Sequence, residues 1–128
     1  MDIKAKYWVE LSDYDYDTAL AMLDTKRYPY VGFMFHQTTE KVLKAYWSDK
    51  ITKPPIKTHH LSRLAAQSGI ADEMSEEQMD FIDRLEPLNI EARYPAYKAR
   101  LLSALTHDYC KQLLKQTDEL RQWIRSKL

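Results

Sequence analysis

The chain has 128 residues, a length that buries about two thirds of its unfolded surface, so one domain spanning residues 1–128 is expected to fold without disulfide or metal. Apolar residues make up 45% and charged residues 30%, which excludes disordered and collagen-like classes. Nineteen basic residues balance nineteen acidic ones, which excludes a polycation of the histone kind.

Prolines and glycines divide the chain into long pieces with a helical rather than a two-residue period. Trp8, Leu11, Asp15, Ala19 and Met22 fall on one stripe and predict a helix from about Ile3 to Asp24. A second helix is predicted from near Tyr30 to about Ser48. It has Phe35, Thr39, Val42 and Tyr46 at core spacing and Gln37, Lys41 and Lys44 aligned on another face. Pro54-Pro55 forces an extended connection. A short helix follows, with Thr58 as its expected N-cap, Leu61, Leu64 and Ala65 inward, and Gly69 as C-cap. Ser75-Glu76-Glu77-Gln78 reads as a capping box. It opens a helix with Met74, Gln78, Phe81, Leu85 and Leu88 on one stripe, which Pro87 weakens towards its end. Residues 89–104 give no clear signal. Thr106 then starts a last helix to about Ser126, with Tyr109, Leu113, Thr117, Leu120 and Ile124 inward. The expected fold class is all-α, an up-and-down bundle of about five helices.

Several chemistries are excluded or made unattractive. No apolar run nears the ~18 residues of a membrane span, and the opening residues lack a signal-peptide apolar region. A soluble cytoplasmic protein without a membrane partner is therefore expected. Cys110 alone cannot form an intramolecular disulfide or a paired-thiolate site. Gly32 and Gly69 are too few for a glycine-rich phosphate loop. His59 and His60 are adjacent, so they point to different faces and lack a third ligand at useful spacing; no metal and no cofactor is expected.

Charge is unevenly spread. Residues 41–63 hold six Lys/Arg and one Asp, residues 72–91 eight Asp/Glu and one Arg, and residues 98–128 seven Lys/Arg and three acids. This pattern suits a phosphate-binding face, and equally basic helices packed beside an acidic one. Asp15, on an apolar stripe, needs a basic or hydrogen-bonding partner if buried. Arg93-Tyr94-Pro95 puts an arginine and an aromatic in a turn between helices.

Four segments in register resemble the HEPN family (higher eukaryote and prokaryote nucleotide-binding). They are Asp15 with Ala19; the run from Phe33 to Ala45 around Gln37, Glu40, Lys41 and Lys44; His59-His60-Leu61 with Leu64; and Glu91-Ala92-Arg93-Tyr94-Pro95. The chain departs from the family pattern at His36, Thr38, Thr39, His60 and Ala96, where the family has Gln, two alanines, Asp and an acid. The resemblance implies a small helical bundle of the kind found beside minimal nucleotidyltransferases, with a nucleotidyltransferase substrate-binding-like fold. It also implies a nucleotide- or RNA-binding module acting as a homodimer, with a separately encoded nucleotidyltransferase-like protein as another partner.

On that reading Lys41, Lys44 and Arg93 meet phosphates, Tyr94 stacks on a base, Gln37 contacts a base edge and His59 donates to a phosphate. The structural counter-reading has Lys41 and Arg93 neutralising Asp15 and Glu40, and Gln37 bridging two helices. The family's ribonuclease toxins, which act in toxin-antitoxin pairs, carry an arginine followed after four to six residues by a histidine. Arg93 fails that match, whereas Arg100 and His107, followed by Tyr109, satisfy it. Arg100 and His107 are thus the candidate catalytic pair of a metal-independent nuclease, whose site the resemblance places across a homodimer.

Overall fold

The computed structural model describes residues 1–128, except for the side chain of Pro95. It contains six α-helices, two short 3-10 turns and no strand among the described residues: α1 (Ile3–Asp24), α2 (Tyr28–Lys50), α3 (Leu61–Ser68), α4 (Glu76–Glu91), α5 (Lys98–Ala104) and α6 (His107–Arg125). No helix is long and apolar enough to cross a membrane. The all-α bundle matches the expected class, with six helices rather than five. The unassigned stretch 89–104 holds the end of α4, a 3-10 turn at Pro95–Tyr97 and α5. These pieces are too short for a periodic signal.

Local chemistry sets the helix ends. The Asp2 carboxylate accepts from the Lys4 amide at 2.7 Å and starts α1. Ser75 and Gln78 form the predicted reciprocal cap of α4. Thr106 accepts from the Tyr109 amide at 3.2 Å and starts α6. Gly69 ends α3 at φ 91°, a left-handed conformation that a side chain would strain. Thr58 does not cap α3. That helix begins at Leu61 behind His60, and the Thr58 hydroxyl instead accepts from the His60 amide at 3.1 Å, holding the turn.

α2 is the central element and packs against α1, α3, α4, α5 and α6. Its buried residues run almost without break from Val31 to Trp47. The stripe that α1 buries against it is Ala5, Val9, Ser12, Ala19 and Leu23, turned one position from the predicted one. Trp8, Leu11, Asp15 and Met22 flank it, half-buried. Small residues let the two backbones approach, and the Ser12 hydroxyl donates to the Thr38 carbonyl at 2.7 Å across the interface. Phe35, Leu43, Leu64, Ile82, Leu85 and Ile124 are fully buried in the common core, each worth about 1.5–3 kcal/mol of transfer free energy. Gly32 in α2 admits α4 and Leu105, the residue that follows α5, closely: a methyl group there would lie 2.9 Å from Leu88 Cδ1 and 3.3 Å from Leu105 Cδ1.

Candidate functional site

A polar seam crosses the bundle on the row of α2 that carries Gln37, Lys41 and Lys44. Lys41 donates to Asp15 at 2.6 Å and to the Gln37 side-chain oxygen at 3.2 Å. The Gln37 amide nitrogen donates to the buried Asn89 oxygen of α4 at 3.1 Å. Asp15 thus has the basic partner its position demands, in a half-buried pair. Gln37 bridges two helices.

The second branch is more deeply buried. Glu40 is 2% exposed. It accepts from Lys44 at 2.9 Å through one oxygen and pairs with His59 Nδ1 at 2.8 Å through the other. Lys44 also lies over the Trp8 ring, 5.3 Å from its centroid. His36 is fully buried, with Nε2 3.9 Å from Glu86 and no hydrogen-bond partner for that nitrogen. Glu86 accepts from the Ser62 amide at 3.0 Å and stands 3.4 Å from His60 Nδ1. Burial pushes the Glu86 carboxyl up, but His36, the Ser62 amide and His60 together outweigh it and hold the group below its ordinary range.

Beside this seam, and sharing His59, Glu86 and Asn89 with it, lies an open cleft of about 600 Å³ between the His59-His60 turn and the C-terminal part of α4. Pro87 and Ile90 supply apolar wall, and Arg93 and Tyr94 stand on its rim. The Arg93 guanidinium sits 5.2 Å from the Phe33 ring centroid and joins no ion pair among the described residues. The cleft's carboxylate, Glu86, is already engaged from within. By contrast, a depression between α4 and α6 presents Glu77 and Glu119 and no cation, which makes it unsuited to an anion.

Of the six ligand-binding candidates, the structure gathers His59, Arg93 and Tyr94 on this cleft, with Gln37 beneath it through Asn89. Lys41 and Lys44 do not line it, each being held by an internal carboxylate. Arg100 pairs with Glu91 at 2.6 Å, and His107 shares a 3.2 Å hydrogen bond with the Tyr28 hydroxyl. No hydrogen bond or ion pair joins Arg100 to His107 among the described residues. No group of three or more His, Cys, Asp or Glu is set to hold a metal ion among them. Sequence reasoning passed over Glu86, Asn89 and Ile90. Asn89 and Ile90 reach the cleft because α4 continues through Pro87, a residue expected to weaken its end.

A profile of the HEPN domain family matches residues 5–127. Among solved structures, the chain is similar to the crystal structure of TT1696 from Thermus thermophilus, with 20% sequence identity, a TM-score of 0.84 and 98% of each chain covered. At that identity the likeness shows the fold. No curated protein matches. The family profile runs from the first turn of α1 to the last residues beyond α6, over nearly the whole bundle, so the chain belongs to the HEPN domain family.

Proposed function

We propose that the chain is a nucleotide- or RNA-binding module whose ligand occupies the cleft between the His59-His60 turn and α4. The observation that carries this reading is Arg93, an exposed guanidinium without an acidic partner among the described residues, placed beside exposed Tyr94 on the rim. A guanidinium holds a phosphate through two parallel hydrogen bonds, and an aromatic face takes a base of any sequence. His59 and His60, with side chains 56% and 60% exposed, add donors on the opposite wall.

Titration of AMP and a short single-stranded RNA into the protein, at several salt concentrations, tests the reading. Affinity is expected to fall steeply with salt, because phosphate contacts release counterions. Arg93→Ala is expected to weaken binding at least tenfold, the worth of one charge-assisted contact of about 1.5–3 kcal/mol. The fold should survive, since the side chain is exposed. Undiminished affinity in Arg93→Ala refutes the assignment.

A homodimer is part of the same proposal. Its support is the exposed stripe Ile3, Tyr7 and Tyr14 along α1, apolar surface of the kind a second copy covers. A monomeric mass by light scattering at high micromolar concentration would remove it.

A further inference from the structure

The cleft has a neighbour. A second concavity of about 350 Å³ lies between Pro29-Tyr30 at the start of α2 and Lys98 and Leu101 of α5. Arg93 and Tyr94 line both and form the ridge that separates them. Both volumes fall in the range of about 300–1,000 Å³ typical of small-molecule sites.

The two sides of the ridge are chemically alike. Each offers apolar wall, from Pro87 and Ile90 on one side and Tyr30 and Leu101 on the other. Each also offers a cationic or hydrogen-bonding group, His59 and His60 on one side and Lys98 on the other. The acids that line them are engaged: Glu86 by His60 and the Ser62 amide, Glu91 by Arg100 at 2.6 Å. Tyr97 packs edge-on against Tyr94, with ring centroids 6.5 Å apart at 83°. That contact steadies the Tyr94 ring while leaving it 55% exposed.

We propose that the ligand is a single-stranded dinucleotide step straddling this ridge, one base in each concavity and the linking phosphodiester on Arg93. The inference rests on the nucleotide-binding reading of the larger cleft and narrows it. A free mononucleotide fills one side only. Duplex bases, stacked on one another, cannot part around Tyr94.

Calorimetric titration of the wild-type chain with AMP and with the dinucleoside monophosphate ApA tests the proposal. ApA carries less charge than AMP, so a preference for it does not come from net charge. ApA is expected to bind at least about tenfold more tightly, the increment from stacking one further base. Tyr30→Ala is expected to bring ApA down to the level of AMP while leaving AMP unchanged, and Tyr30→Phe, which keeps the ring, to retain the increment. AMP binding as tightly as ApA overturns the straddled mode and leaves the nucleotide-binding reading standing. Equal loss of both ligands in Tyr30→Ala overturns it too, and an absence of binding for both ligands overturns both readings.

Discussion

Replacing Glu40 by glutamine keeps the shape of a 2% exposed side chain and removes its charge. Two cationic or cation-capable groups lean on that carboxylate, Lys44 at 2.9 Å and His59 at 2.8 Å. His59 is more than half exposed and is rehydrated at little cost. Lys44 is 10% exposed in its side chain, wedged against Trp8, and is left as a buried cation without an anion. Breaking a buried pair in this way costs about 3–5 kcal/mol. At about 2.1 cal/mol/K of unfolding entropy per residue, the 128 residues convert a loss of about 3 kcal/mol into a Tm lowered by roughly 11 °C. Urea denaturation of Glu40→Gln should show that loss in the midpoint with an unchanged slope. Adding Lys44→Met removes the stranded charge and is expected to restore most of the stability, because a buried pair contributes little against an apolar replacement. A loss below about 1 kcal/mol in Glu40→Gln, in the range of exposed ion pairs, would refute the burial argument. So would a double variant no more stable than the single one.

Three further outcomes follow from groups already described. Burial pushes the Cys110 thiol up to about 11, so a thiol reagent at neutral pH should label the protein only as denaturant unfolds it, and rapid labelling of the native chain contradicts that burial. Glu86 sits below its ordinary value of 4.5. Its ionised form therefore adds stability that is fully present above that value and is lost as pH falls through the lower folded one. The stability gap between wild type and Glu86→Gln should narrow across that acidic window, and a gap independent of pH counts against the account. If the chain cuts RNA through Arg100 and His107, His107→Ala should remove cleavage while leaving RNA affinity nearly unchanged, because a general base acts in the transition state; cleavage that survives His107→Ala excludes this pair.

The sequence made the long helices, the Ser75 and Thr106 starts and the Gly69 stop legible, because each is set by residues within one turn of one another. Apart from Ala19, it misplaced the α1 stripe by one position, since the weight given to Trp8 and Leu11 overlooked how far Ala5 and Ser12 draw two helices together. At the site, the row Gln37, Lys41, Lys44 and the Arg93-Tyr94 turn were visible. Which lysines were spoken for was not. Asp15 reaches Lys41 from 26 positions away, and whether Lys44 meets Glu40 or a ligand depends on how deeply α1 and the His59 turn cover that pair. A list of cations gives no such depth. Residues 89–104 show the complementary limit, where short elements owe their form to what they pack on.

Because α2 is the core's axis and lies behind the cleft, tied to it through the Gln37–Asn89 bond, the bundle is expected to have two mobilities. Amides of α2, enclosed on nearly every side, exchange with solvent only when the whole molecule opens. Between residues 93 and 104, Leu101 is the one buried side chain among those described, so this rim opens locally and at far lower free energy. A ligand would then be captured by a yielding edge moving against a stationary base. Slow release would require the rim to be held shut by the ligand itself, without any loosening of the helix beneath.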